Sequence, residues 1–181
     1  AVATHIVPPV MAGFSAFPAS GPAPLLVQFL ENSTGATGYW WDFGNGITST
    51  LTNPINTYTL PGVYTVTLTV SGPGGSDTKT HSHCITVTQA LKADFSAFPY
   101  SGAAPALIQF LDNSTGNIET YLWTFGDGLT DTLSSPTHTY TAAGVYTVTL
   151  TVSGLDGSDT ITKPDYITVT EPVIANFSAT P

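Results

Sequence analysis

The stretch Phe14-Ser15-Ala16-Phe17-Pro18 returns as Phe95-Ser96-Ala97-Phe98-Pro99, 81 residues further on. A repeat of this length constrains the chain more than any composition figure does, because both copies must encode the same unit. The match continues in Val27-Gln28-Phe29-Leu30 against Ile108-Gln109-Phe110-Leu111, and in Asn32-Ser33-Thr34-Gly35 against Asn113-Ser114-Thr115-Gly116. Beyond that point the offset is 82, with Trp41 paired to Trp123 and Gly62 to Gly144, so one residue is inserted between Gly116 and Tyr121. Loops absorb such insertions and strands do not. A third copy opens at Phe177-Ser178-Ala179-Thr180-Pro181, and Val10 corresponds to Val173 ahead of it. The expected organisation is therefore residues 1–10 as the end of a preceding repeat or a linker, one domain at 11–89, a second at 90–171, and the start of a further repeat or a terminal strand at 172–181. The chain reads as a mature form or a piece of a longer array, or as one arranged to join end to end.

Each copy reads as all-β. In Gly62 to Val70 the residues Tyr64, Val66, Leu68 and Val70 fall on one face, with Thr65, Thr67 and Thr69 on the other. That period of two is the pattern of a strand half-buried in an antiparallel sheet. Val145 to Val152 repeats it, and Ile85 to Thr88 and Ile167 to Thr170 close the two units alike. Leu25 to Leu30 and Tyr39 to Phe43 also read as strands, and Asn45-Gly46 and Asp127-Gly128 are dipeptides that favour a two-residue type I′ hairpin. No segment holds apolar residues at helical spacing over ten or more positions. Short strands with frequent turn signals predict a β-sandwich of about seven strands per unit.

Composition closes off several functions. Arg is absent and Lys79, Lys92 and Lys163 are the only strong cations, against 12 Asp and Glu, for a net charge of −9. Such a chain builds no cationic patch for phosphates, which excludes nucleic acid and argues against anionic lipid. With 41% hydrophobic residues it buries a core rather than staying disordered. No apolar run is long enough to span a bilayer, so no membrane insertion is expected of this segment. Cys84 is the lone cysteine, so no internal disulfide forms and packing supplies the framework.

Trp41-Asp42-Phe43-Gly44-Asn45-Gly46, then Pro54 to Tyr58, then Pro61 to Val70, resembles the signature of the PKD domain, the Ig-like module named for polycystic kidney disease protein. Trp123-Thr124-Phe125-Gly126-Asp127-Gly128, Ser135 to Tyr140 and Gly144 to Leu150 resemble it as closely. The resemblance covers nearly the whole chain. It implies two tandem Ig-like sandwiches, extracellular or at the cell surface. Such modules are found in archaeal surface-layer and adhesion-like proteins, in secreted proteases, collagenases and chitinases, and in polycystin-type receptors. It also marks Trp41, Trp123, Tyr64, Tyr146, Gly62 and Gly144 as core signature residues.

Four groups of residues are candidate sites. Some relatives bind Ca²⁺, for which Glu31, Asp42, Asn45, Asp112 and Asp127 offer hard oxygen ligands. The pattern is broken in both copies, by Asn45 in the first and Thr124 in the second, and the plainer reading makes Asn45 and Asp127 turn formers and Asp42 a partner of nearby backbone. Asn32, Asn113 and Asn176 stand in Asn-x-Ser/Thr acceptors for glycosylation, two of them at equivalent positions. His81-Ser82-His83 is expected to present two imidazoles on one strand face, but the second unit has Lys163, Pro164 and Asp165 there, which favours surface variation over a metal site. His138, with Asn56 at the matching position, reads as a hydrogen-bonding structural residue. Trp40 points away from the core where the second unit has Leu122, and an exposed Trp is able to stack on sugars.

No Gly-x-Ser-x-Gly elbow, phosphate-cradling loop or His-Glu-x-x-His motif occurs, and no catalytic constellation is shared by the two copies, so no enzyme activity and no obligatory cofactor are expected. The leading expectation is a structural or adhesive module of a cell-surface or filament-forming protein. Its partners are other copies of itself, neighbouring surface proteins or glycans, with terminal strands available to complete another subunit. The alternative is an accessory module of a secreted hydrolase that engages polysaccharide or collagen.

Overall fold

A computed structural model describes residues 7–174 of the chain. It divides into two compact units, Ala1–Gln89 and Ala90–Pro181. Asn176 and the third copy at Phe177 to Pro181 lie outside the described residues, as do His5 and Ile6.

The first unit contains β1 (Phe14–Phe17), β2 (Ser20–Pro22), β3 (Leu25–Glu31), β4 (Gly38–Asp42), β5 (Thr48–Ser49), β6 (Ile55–Tyr58), β7 (Gly62–Gly72) and β8 (Gly75–Thr88). These form a three-stranded sheet, β1-β3-β6, and a five-stranded sheet, β2-β8-β7-β4-β5. The second unit repeats the arrangement with β9 (Phe95–Phe98), β10 (Ser101–Ala103), β11 (Ala106–Asp112), β12 (Thr120–Thr124), β13 (Thr130–Asp131), β14 (Thr137–Tyr140), β15 (Gly144–Gly154) and β16 (Gly157–Thr170). Both units are thus all-β sandwiches, with eight strands where about seven were expected. Two features add to the number. β5 and β13 are two-residue pieces. The first strand of each unit is also split near Pro18 or Pro99, where the chain lacks an N–H for the ladder. β1 pairs antiparallel with β3, and β2 then crosses to the other sheet to run parallel with β8.

The cores follow from the alternation. Val66, Leu68 and Val70 on β7, and Val148, Leu150 and Val152 on β15, are fully buried. Trp41 and Trp123 are fully buried as well. Trp41 lies edge-on to Phe14 at 5.2 Å and stacks on Phe43 at 6.2 Å. Its Nε1–H donates to Leu51 O at 2.9 Å, and Trp123 does the same to Leu133 O at 2.9 Å, so the buried indole polar atom is satisfied. Tyr58 and Tyr140, buried at the ends of β6 and β14, donate to Phe43 O at 3.0 Å and Phe125 O at 2.9 Å. Burial pushes the Tyr58 hydroxyl up to about 12. Tyr64 and Tyr146 lie one layer further out and donate to Leu60 O and Ala142 O, each at 2.8 Å. Gly62 and Gly144 leave room for these rings: a Cβ on Gly62 would sit 3.4 Å from the Tyr64 ring, and one on Gly144 3.1 Å from Tyr146.

Two local expectations are corrected. Phe43 N–H donates to Ile47 O at 3.2 Å, closing a loop over Gly44, Asn45 and Gly46. The positive φ values fall on Gly44 (76°) and Gly46 (85°) and not on Asn45, so this is not a type I′ turn. Gly44 is required there because a Cβ would collide with Thr65 O. The second correction concerns β8. Val66 pairs with His81 but Tyr64 pairs with Ile85, so Thr65 alone faces Ser82, His83 and Cys84 in a bulge. His83 has φ 54°, and Asp165 has φ 51° at the matching bulge of β16. The bulge breaks the alternation, so His81 and His83 do not share a face: the His81 ring packs 4.5 Å from Phe14, while His83 is exposed.

Candidate functional site

The proposed oxygen ligands are each occupied locally. Asp42 Oδ1 accepts from Gly44 N–H at 2.9 Å, Asn45 Oδ1 from Ile47 N–H at 3.2 Å, and Asp127 Oδ1 from Leu129 N–H at 3.1 Å. Glu31 accepts from Ser33 N–H at 2.9 Å and from the Tyr39 hydroxyl at 3.3 Å, and Asp112 accepts from Ser114 N–H at 2.9 Å. Among the described residues no three His, Cys, Asp or Glu side chains converge. This set does not fit calcium, which takes six to eight oxygens in one cage. Its members are turn and loop caps.

Asn32 and Asn113 are exposed just past β3 and β11. The Asn113 amide lies 3.0 Å from Ser96 Oγ, whereas Asn32 Oδ1 covers the place a Cβ would take on Gly13. Ser33 and Ser114 anchor the two loops by accepting from Gly13 N–H and Asp94 N–H, both at 3.1 Å.

Sequence reasoning missed a pair of carboxylates. Asp77 Oδ2 accepts from Ala12 N–H at 2.8 Å and Asp159 Oδ2 from Ala93 N–H at 2.7 Å, tying the segment that enters each sandwich to its last long strand. The N–H groups of Ala12 and Thr78 hold the Asp77 carboxyl below its ordinary value. The equivalence of Asp77 and Asp159 within the repeat was the available signal.

The turns of the two units are closed differently. In the second, His138 is buried, stacks on Phe125 at 4.0 Å with rings nearly parallel, and places Nε2 2.7 Å from Asp127 Oδ2. In the first, Asn56 takes the place of His138 and Asn45 that of Asp127. Asn56 is buried and its Nδ2 finds no hydrogen-bond partner among the described residues. The bulges differ too. Lys163 pairs with Asp94 at 3.1 Å, donates to Phe95 O and lies 4.6 Å from the Phe95 ring centroid, where the first unit has His81 and Gly13.

The outer faces differ in chemistry. On the five-stranded sheets, Thr67 and Thr80 hydroxyls lie 3.1 Å apart and Thr69 and Thr78 2.9 Å apart, with the same pairs at Thr149–Thr162 and Thr151–Thr160, both 2.9 Å. Trp40 stands opposite Thr69 on this face and is 46% exposed. The three-stranded sheets turn apolar side chains outward beside Thr57, Thr137 and Thr139: Leu26, Leu30 and Phe17 of the first unit and Leu107, Leu111 and Phe98 of the second are exposed, Phe17 at 79% and Phe98 at 73%. Register sets Phe17 beside Gln28 and Gln28 beside Ile55, so the exposed apolar side chains of β1, β3 and β6 are interrupted by Gln28 at the centre of the face.

A family model described as PKD domain matches residues 7–87 and 102–169. Collagenase ColA of Bacillus cereus is 46% identical over 65 residues, which are 34% of this chain and 7% of that protein. The pre-pro-metalloprotease PrtV of Vibrio cholerae is 50% identical over 60 residues, 33% of this chain and 6% of that protein. The chain therefore matches only a small part of the length of these relatives. Among solved structures, the PKD1 domain from the Vibrio cholerae metalloprotease PrtV is similar with 38% identity and a TM-score of 0.38, over 44% of this chain and 96% of that domain.

Proposed function

The chain belongs to the PKD domain family, as a tandem of two such domains, and from that premise we propose that it is a non-catalytic accessory segment of a secreted hydrolase, working outside the cell beside a catalytic domain elsewhere in the same protein. The observation that carries this reading is the 46–50% identity over 60–65 residues to stretches of a collagenase and of a metalloprotease. It favours the accessory role over the surface-array role expected first. Collagen is an extracellular fibre, and a module that holds such a substrate near an active site raises its effective concentration without doing chemistry. The exposed apolar side chains of Phe17, Leu26 and Leu30 and of Phe98, Leu107 and Leu111, interspersed with Gln28 and Gln109, are suited to a fibrous or protein surface.

The test is retention of the purified chain on insoluble collagen, chitin and cellulose. Retention on collagen that drops when Phe17 and Phe98 are both changed to Ser is the expected result, and no retention on any of the three removes the substrate-engaging role. A second reading, a spacer in a cell-surface assembly, draws on the hydrated, uncharged Thr ladders, which suit close packing of neighbours. Asn32 and Asn113 are the glycan acceptors this reading uses, and intact-mass measurement of native material checks them directly.

A further inference from the structure

Beside β1 and β8 the first unit has an open groove of about 510 Å³, lined by Phe14, Ala16, Ala19, His81 and Cys84 among others. The backbone around it matches that of the second unit: Thr86 N–H donates to Ala19 O at 2.9 Å, and Thr168 N–H donates to Tyr100 O at 3.0 Å. What differs is two rings. Ala19 and Cys84 stand where the second unit has Tyr100 and Tyr166. There the Tyr166 ring is edge-on to Phe95 at 5.3 Å and to Tyr100 at 5.4 Å, and its hydroxyl oxygen accepts the Ala97 N–H at 3.2 Å.

That N–H has a counterpart with no tyrosine to meet it. Phe29 N–H turns to Pro54 O at 2.9 Å, away from β1, so Phe29 and the facing Ala16 do not exchange hydrogen bonds. In an antiparallel pair the N–H and C=O of such a residue point off the sheet edge. Ala16 N–H is thus directed outward beside the groove that Ala16 lines, as Ala97 N–H is directed at Tyr166. The floor is Phe14, the counterpart of Phe95, with the His81 ring 4.5 Å from it.

We propose that this groove receives a tyrosyl ring presented by a partner peptide, seated as Tyr166 is seated in the second unit, edge-on to Phe14 and with its hydroxyl oxygen on the Ala16 N–H. The second unit carries its own occupant and the first does not, so binding is confined to the first. An acceptor at the ring's far end is what distinguishes tyrosine from phenylalanine here, because a half-buried thiol at Cys84 is a poor substitute for it. The proposal stands independently of any adjoining catalytic domain.

The experiment is a titration of the ¹⁵N-labelled chain with N-acetyl-tyrosinamide, followed by amide chemical shifts. A saturable shift at Ala16 and His81 with none at Ala97 is expected, with a dissociation constant on the order of millimolar for so small a ligand. N-acetyl-phenylalaninamide should bind about fivefold more weakly, the worth of one neutral hydrogen bond. The double variant Ala19→Tyr, Cys84→Tyr, which copies the second unit, should abolish the shift while the remaining spectrum keeps its dispersion. Ala19→Tyr alone serves if the double variant does not fold. No saturable shift at Ala16, equal binding of the phenylalanine analogue, or an equal response at Ala97 overturns the proposal. So does a response of the same amides to cellobiose but not to the tyrosine probe.

Discussion

At the junction of β1 and β8 the first unit carries Gly13, Ala19, His81 and Cys84, and at the corresponding junction the second carries Asp94, Tyr100, Lys163 and Tyr166. The backbones agree to the level of individual bulges and hydrogen bonds. The difference teaches that duplication copied the strand ladder and the indole-centred core, while the edge left by β1 was free to diverge, since ladder and core do not depend on it. The second unit closes that edge with an ion pair and two phenol rings, and burial followed by the Tyr100 hydroxyl pushes Tyr166 up to about 12. The first leaves it open. At the turn the contrast recurs, with a half-buried His138–Asp127 contact in one unit and an Asn56 Nδ2 without a hydrogen-bond partner among the described residues in the other.

The largest expected effect tests the shared part. Trp41→Ala and Trp123→Ala should each cost about 3–5 kcal/mol, the usual cost of emptying an aromatic core site, and native-state hydrogen exchange on the intact chain reads it in each unit separately. Unequal losses would show that the two cores are not equivalent in the way their geometry indicates. Next comes the turn. His138→Ala should cost the second unit about 1–3 kcal/mol, through loss of ring stacking and of the Asp127 contact, whereas Asn56→Ala should cost the first unit less, because its Nδ2 has no partner to lose. Chemical denaturation with unit-specific amide probes separates the two.

A smaller effect concerns acid. Lys163 and the Phe95 N–H hold the Asp94 carboxyl below its ordinary value of 3.8. Because the folded-state value is depressed, its contribution to the second unit is complete above the unfolded value and is lost as pH falls through the folded one. Asp94→Asn should remove that pH dependence from Phe95 and Lys163 resonances, and the first unit, with Gly13 there, should not share it. Half of the Asp94 side chain is exposed, so water screens the pair and the contribution to stability is small. The smallest effect is expected on the Thr ladders, where Thr69→Ala or Thr151→Ala should cost about 0.2–1 kcal/mol by thermal unfolding, equally in both units.

Much of this was legible in the residues. The period of two in Gly62–Gly72 placed Val66, Leu68 and Val70 inward, and the family resemblance marked Trp41 and Trp123 as core residues, which they are. The plainer reading of Asn45 and Asp127 as turn formers matches their bonds to Ile47 and Leu129 N–H. The bulge at His83 was not legible, because alternation gives parity only until an extra residue resets it, and a His at positive φ carries no distinctive neighbour in the sequence. The exposed leucines of the three-stranded sheet were missed for a related reason: Leu26 and Leu30 alternate with buried Val27 and Phe29, and a largely apolar segment does not say which parity faces solvent.

The sequence by itself determined the duplication, the all-β class, the family and the buried tryptophans, because repeat spacing and strand periodicity are local and survive in one dimension. Only the tertiary structure decided that Asp77 and Asp159 clamp the incoming segments and that Ala19 and Cys84 leave open what Tyr100 and Tyr166 fill. Those outcomes depend on residues about 65 positions apart meeting in space, and no local pattern encodes which of them will meet.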